Sequence, residues 1–222
     1  MKIPSDWTFR NTSVANEFDR HVREQLPWYD QVSGAAAHFA RHYIPDRGLV
    51  YDVGASTGNM GRLLASALEA RRATLVAIEA SREMANKYHG PGKLVVADAL
   101  EYKFKEFDVA ICFLLMMFLP PARRKDWLLN LLGKCRLGGA IILVDLLENP
   151  GGYFGTACAR LRLAGKMATG TSPGEIIAKE LSLPGAQRPL PHNFVEFFVS
   201  AGAHRFFQFG EFAGWVIESQ RH

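Results

Sequence analysis

The sequence predicts an α/β fold built on a doubly wound, mostly parallel sheet that finishes in an antiparallel hairpin. Three observations carry that expectation. Short apolar runs alternate with helical periodicity from residue 49 to residue 146, the pattern of strand–helix crossovers. The first run passes directly into a turn of small residues, Gly54-Ala55-Ser56-Thr57-Gly58, and then into a helix. Three runs end on or near an acid, at Asp52, Glu79 and Asp98, the edge at which open α/β sheets hold ligands. A chain of 222 residues with 48% apolar content suits one such domain over 1–222 with a full core.

The elements follow in order. Val14, Phe18, Val22 and Leu26 recur every four residues and mark a helix over 13–26, stopped by Pro27. A second helical stretch covers 31–43, so residues 1–47 form a helical cap ahead of the first strand. His38 and His42 stand four apart on it, a spacing that can bind metal, but no third ligand is in view and no metal site is expected. The first strand ends in Val53. Gly54 and Gly58 then free the backbone for positive φ and for close approach of a ligand. The helix that follows, with Met60, Leu63 and Leu64, offers unpaired N–H groups at its start.

The second strand, 73–79, closes on Glu79 and Ala80, and Ser81 and Met84 open the next helix. The third, 93–100, carries Asp98 and Ala99 at its end. The fourth, 107–115, runs on into a wholly apolar wall from 113 to 120, which begins with Phe113. Cys112 inside that strand reads as core filler rather than a nucleophile. A helix over 121–136 turns Trp127, Leu128, Leu131 and Leu132 inward and Arg123-Arg124-Lys125 to solvent, and Gly138-Gly139 closes it before a fifth strand at 140–146. Residues 149–193 break the rhythm with a basic helical stretch (Arg160, Arg162, Lys166), a second helix at 175–183, and then Pro184, Pro189 and Pro191. An insertion of this length before the last strands predicts a lid over a substrate. A helix at 194–201 and a hairpin of 205–212 with 214–218 complete the chain. His192, beside the lid, is the general-base candidate by residue type.

Several function classes drop out. The Gly-rich turn lacks the Lys-Ser/Thr of a phosphate-binding loop, and Ser56 stands where a dinucleotide fingerprint needs its second glycine. The longest apolar runs are too short or too interrupted to span a bilayer, so no membrane association is expected. The first residues lack a signal-peptide core, and the three cysteines are far apart without a C-x-x-C pair. A cytoplasmic location is therefore expected. The net charge of +4 permits acidic partners without arguing for them.

The order Asp52-x-Gly54-x-x-x-Gly58 resembles the first motif of the class I S-adenosylmethionine (SAM)-dependent methyltransferases. Leu137-Gly138-Gly139 ahead of the fifth strand resembles a second motif of that superfamily. The resemblance implies a Rossmann-like, seven-stranded methyltransferase sheet with SAM or S-adenosylhomocysteine as cofactor. It implies that Asp52, Gly54, Ala55, Ser56 and Gly58 hold the methionine end, that Glu79 and Ala80 hold the ribose, and that Met84, Asp98, Ala99 and Phe113 surround the adenine and the reacting group. Phe18-Asp19-x-x-Val22, Leu26-Pro27-Trp28-Tyr29, Phe118-Leu119-Pro120-Pro121 and Phe206-Phe207-Gln208-Phe209 further resemble the bacterial carboxy-SAM synthase family, which makes carboxy-SAM for tRNA wobble-uridine modification. By that resemblance Tyr29 lies near the cofactor's amino-acid end, and the chain forms a homodimer. Two departures stand out. Ala55-Ser56-Thr57-Gly58 replaces that family's Cys and Ser-Leu-Gly, and Glu180, beside Lys179, falls where an arginine should pair with the extra carboxylate, leaving Arg188 as the substitute. The expected function is accordingly methyl transfer from SAM to a small molecule or nucleic acid. Carboxy-SAM synthesis is the alternative, and a non-catalytic SAM-binding subunit the second alternative.

Overall fold

The computed structural model describes residues 8–183 and 185–219. Two sequence expectations, the character of the first residues and the placement of Pro184, lie outside them. Helices α1 (Thr12–Gln25) and α2 (Tyr29–His42) precede β1 (Leu49–Val53), α3 (Asn59–Ala70), β2 (Thr74–Glu79), the single turn α4 (Arg82–Ala85) and β3 (Lys93–Val96). Then come β4 (Phe107–Phe113), a 3-10 turn at Met116–Phe118, α5 (Pro121–Leu132) and β5 (Cys135–Leu146). Helices α6 (Gly152–Ala168), α7 (Pro173–Leu181) and α8 (His192–Ser200) lead to β6 (His204–Phe209) and β7 (Phe212–Glu218).

The strands form one sheet in the order β3-β2-β1-β4-β5-β7-β6. Strands β1 to β5 are parallel, and β7 runs antiparallel to both β5 and β6. The order reverses between β1 and β4, which places the switch point beside the Gly-rich turn. The central strands read as unbroken apolar runs because both faces are covered. Tyr51, Ala110, Cys112, Ile141 and Leu143 point to the side packed by Trp127, Leu128 and Phe198 from α5 and α8. Val50, Val109, Ile111, Ile142 and Val144 point to the side packed by Ala36, Ala40, Leu64 and Leu68 from α2 and α3.

Three local expectations need correction. The third strand stops at Val96, opposite Glu79 at the end of β2, and beyond it the Ala97 N–H still donates to the Glu79 carbonyl at 3.0 Å. The helix of 121–136 ends at Leu132, capped by Gly133, and Gly138-Gly139 lies within β5. There Phe107 pairs with Cys135 but Val109 with Ala140, a bulge that Gly138 absorbs at φ 80°. Arg124 does not face solvent. It is fully buried, and its guanidinium donates to the carbonyls of Leu119, Pro189, Met117 and Arg188 at 2.9, 3.0, 3.2 and 2.8 Å. The basic triplet is thus interrupted by a buried clamp that joins the loop after β4 to the segment before α8.

Candidate functional site

A cavity of about 760 Å³ opens at the C-terminal ends of β1, β2 and β4 and is closed over by α1, α6 and α7. Its floor starts with the turn after β1. Gly54, at φ 78°, lies so near the loop after β4 that a Cβ there would sit 3.0 Å from Leu115 Cδ1. Ser56, at φ 52°, holds a left-handed conformation unusual for a side-chain-bearing residue. The strain is matched by Glu79, whose Oε2 accepts from the Ser56 N–H at 2.8 Å while Oε1 accepts from the Ser81 N–H at 2.8 Å. Burial raises the Glu79 pKa above the usual carboxylate range, against these backbone N–H bonds.

Asp52 is 2% exposed, and burial together with the neighbouring Glu79 pushes its pKa up to about 7. Asp98 is exposed, its Oδ1 accepts from the Leu100 N–H at 2.9 Å, and Trp127 Nε1 donates to the Ala99 carbonyl at 2.8 Å, so that the turn after β3 is held from below. Tyr29 meets Phe113 edge-on with ring centroids 5.6 Å apart. The cap is fastened to this floor: Thr57 Oγ1 donates to Asp19 Oδ1 at 2.6 Å, and Ser81 Oγ donates to the Phe9 carbonyl at 2.7 Å. Phe9 in turn packs edge-on against Phe118 at 5.0 Å, closing an aromatic wall.

Of the residues singled out from the sequence, Tyr29, Asp52, Gly54, Ala55, Ser56, Glu79, Ala80, Met84, Asp98, Ala99 and Phe113 are brought to this cavity. Gly58 and His192 are not part of its wall. Gly58, at φ 90°, faces the other way, where a Cβ would meet the Gly90 nitrogen at 2.7 Å. It starts α3 and packs a loop. His192 is the exposed first residue of α8. His38 and His42 meet edge-on on exposed turns of α2, and no group of three metal-ligating side chains occurs among the described residues.

Four sets of residues that the sequence reading did not single out as binding residues shape or line the cavity, although it had placed Arg162, Lys166, Lys179 and Glu180 in the insertion. Asp145, fully buried on β5, accepts from the N–H groups of Met116, Leu146 and Met117 at 2.6, 2.8 and 3.2 Å, and burial pushes its pKa up to about 7. It fixes the loop that forms the cavity's apolar side. Glu211, in the β6–β7 turn, is 6% exposed and lines the cavity; its Oε1 accepts from Asn149 Nδ2 at 3.2 Å. Arg162, Lys166 and Lys179 enter from α6 and α7 with Glu180, and His21 and Gln25 from α1. Arg188, the sequence candidate for a carboxylate partner, is outside the wall. A shared signal marks two of them, Gln25 and Glu211. Asp52 Oδ2, Ser56 Oγ, Asn59 Nδ2, Gln25 Oε1 and Glu211 Oε2 are buried without a hydrogen-bond partner among the described residues, and all five residues line this one cavity. Buried polar atoms are nearly always paired, so such a convergence marks where a ligand completes the set.

Comparison with known proteins agrees with the architecture. Residues 50–139 match the family model described as "Methyltransferase domain". The chain is 26% identical over 192 residues to the carboxy-S-adenosyl-L-methionine synthase of Staphylococcus epidermidis, covering 84% of each. Its fold resembles that of the DhpI-SAM-HEP complex, with a TM-score of 0.59 at 15% identity over 92% of both chains. It also resembles magnesium protoporphyrin IX methyltransferase from Synechocystis PCC 6803 with bound SAH, with a TM-score of 0.59 at 13% identity over 95% of this chain and 98% of that one. The fold is like that of SAM-dependent methyltransferases, and the central part of the chain, residues 50–139, is similar to a methyltransferase domain. Along most of its length the sequence is similar to the carboxy-SAM synthases. No helix of the described residues is long and apolar enough to cross a membrane.

Proposed function

We propose that this protein binds SAM in the cavity above β1 to β3 and transfers its methyl group to an acceptor seated under α6 and α7. One observation carries the reading: a left-handed Gly-rich turn, two buried carboxylates and an exposed third open on the same space, and buried polar atoms without partners point to it. The cavity's size falls within the range of small-molecule sites. The residues fit the cofactor. The bare backbone at Gly54 and the Asp52 carboxylate would hold the methionine end, Glu79 the ribose hydroxyls, and Asp98, Ala99 and Met84 the adenine. When bound, SAM supplies a methyl group already activated by its sulfonium, with a neutral thioether as leaving group. The protein's own part is then alignment and exclusion of water. Helix α1 and helices α6 and α7 would close the cavity from two sides, and Tyr29 and Phe113 would wall the reacting centre. Glu211, a buried carboxylate with one oxygen lacking a partner, is better placed than His192 to take a proton from the acceptor.

Carboxy-SAM synthesis is the second reading, favoured by the likeness to the synthases and by the cations of α6 and α7. Those cations answer the objection raised by Glu180, since Arg162 Nη1 and Lys166 Nζ already donate to Glu180 Oε1 at 2.6 and 2.9 Å. Releasing and weighing the small molecule that copurifies with the protein separates the two. SAM or S-adenosylhomocysteine supports methyl transfer, and a species heavier by one carboxyl group supports the synthase. If nothing copurifies and SAM gives no heat by calorimetry, both readings fall. Homodimerisation remains part of the proposal and is read by light scattering.

A further inference from the structure

We propose that the cavity selects its second reactant by a hydrogen-bond donor, an uncharged hydroxyl or amino group on a small apolar body, whose O–H or N–H is accepted by Glu211 Oε2 with Gln25 Oε1 on the same wall. The inference rests on the methyl-transfer reading for what becomes of that group. The contact itself stands on burial and on which atoms lack partners.

Glu211 is held firmly. With Gly210, whose φ of 56° is the left-handed start that tight hairpins favour, it forms the two-residue turn between β6 and β7. Its carbonyl accepts from the Leu147 N–H at 2.8 Å, and its Oε1 from Asn149 Nδ2 at 3.2 Å. Asn149 can turn only that end to it. Its Oδ1 already accepts from the Gly151 N–H, and its Nδ2 also donates to the Gly155 carbonyl, both at 2.9 Å. Position 155 must be glycine for this, since a Cβ there would run into Asn149 Oδ1. Oε1 is thus engaged, while Oε2 is buried without a partner among the described residues, in a side chain that lines the cavity. An ionised carboxylate can only accept. At 6% exposure an oxygen left in this state is unfavourable until a donor reaches it.

The other unpaired atoms of the wall divide by place. Asp52, Ser56 and Asn59 lie on or beside the turn after β1, where the methionine end of the cofactor would sit. Gln25 does not. It is the last residue of α1, 8% exposed, and its Oε1 is a second buried acceptor without a partner among the described residues. Three residues on, Trp28 packs against Phe212, the neighbour of Glu211, with ring centroids 4.8 Å apart, so the segments that carry the two acceptors are joined. Two acceptors without a donor select against a carboxylate, a ketone or an ether, whose lone pairs would face theirs. A cationic donor is disfavoured as well, because Arg162 and Lys166 line the same cavity and share a single acid, Glu180. Phe113, Phe118 and Phe212 wall the remaining space, which suits an apolar body. Glu211 is also the group that would take the acceptor's proton, so recognition and proton removal fall on one side chain.

The test uses the full-length protein saturated with S-adenosylhomocysteine and titrates it by calorimetry with phenol, aniline, benzonitrile and benzylamine, rings of similar size. Phenol or aniline should bind about 10-fold or more tightly than benzonitrile, which only accepts, and than benzylamine, which is a cation. The better of the first two names the group. Glu211→Gln gives the sharper result. Asn149 Nδ2 keeps the amide oxygen, so the new NH2 faces the cavity and an acceptor becomes a donor at unchanged shape. The preference should then invert toward benzonitrile by about 10-fold, while S-adenosylhomocysteine affinity shifts by less than about 2-fold. Equal binding of phenol, aniline and benzonitrile overturns the proposal. So does the absence of saturable heat from all of them, tightest binding of benzylamine, or an unchanged order in Glu211→Gln. Should that variant fail to fold, the ranking by the wild-type protein decides alone. Failure of S-adenosylhomocysteine to bind counts against the cofactor reading instead, and the same titrations on the protein without it still read the donor contact.

Discussion

The two ends of the cavity are made in different ways. The strand end is built from backbone and short acids that lie within a few residues of the ends of β1, β2 and β3, so its geometry is a by-product of the sheet. The helical end is assembled from α1 and from α6 and α7, which begin more than 130 positions after α1 begins, and it is lined by long charged side chains. The difference teaches where each property of a transferase resides. A shared cofactor needs a rigid cradle that any sequence of this fold can supply. A particular second reactant needs side chains that only this chain's added helices bring in.

The comparison breaks first at the piece that joins the two ends. Arg124 holds carbonyls of the loop after β4 (Met117, Leu119) and carbonyls of the segment before α8 (Arg188, Pro189) with one guanidinium. Arg124→Met leaves those carbonyls without a donor, and a loss of about 3 kcal/mol in urea unfolding is expected, with hydrogen exchange rising most around 185–190. A variant as stable as the parent would show that the two ends are held together elsewhere.

Within the strand end, Glu79→Gln should have the next largest effect. The carboxylate accepts from Ser56 and Ser81 N–H groups, so the amide both weakens the left-handed turn and loses the charge that would meet the ribose. A fall in S-adenosylhomocysteine affinity of about 10- to 100-fold by calorimetry follows from charged hydrogen bonds of this kind. An equal effect from Lys166→Met on the same ligand would erase the distinction between the ends.

How much of this was legible in the sequence follows the same division. Asp52, Glu79 and Asp98 could be placed because each closes an apolar run, and the end of a strand is readable from one window. Gly58 was misplaced because spacing does not say which side of a turn a glycine faces; its role is to let Gly90 approach. The clamp at Arg124 hid in a basic triplet that looks solvated, since burial of a guanidinium depends on carbonyls some 65 residues away. The cations of α6 and α7 were hidden more deeply. Their helices expose Phe154 and Leu181 and bury Lys166 and Lys179, so a reading that turns apolar residues inward assigns the faces backwards.

Asp52→Asn sharpens the contrast through pH. Its pKa is raised from 3.8 to about 7 in the folded protein, first by burial and then by Glu79. Between those values the folded state holds a proton that the unfolded state has released. The stabilisation is complete below about pH 4 and lost as the pH rises through 7, at up to about 1.4 kcal/mol per pH unit. The asparagine variant should therefore lose stability less steeply than the parent between pH 4 and 7, in unfolding curves taken at several pH values. Asp145, raised in the same direction by its own burial, keeps part of the slope in both proteins. Parallel slopes would mean that Asp52 stays ionised in the fold.

The smallest effect belongs to Asp98→Ala, and its size matters because the same chemistry is placed in a different environment. Asp98 lies beyond the sheet's edge strand and is exposed, so water and salt screen its charge as they do not at Glu79. The bond its carboxylate accepts from the Leu100 N–H, at 2.9 Å, orders a turn that Trp127 already supports through Ala99. The substitution should weaken S-adenosylhomocysteine binding by only about 3-fold and leave stability nearly unchanged, with the deficit shrinking further in high salt. Were Asp98→Ala to cost as much as Glu79→Gln, burial would not be what grades these three acids, and the strand end would owe its affinity to the number of carboxylates rather than to their shelter from water.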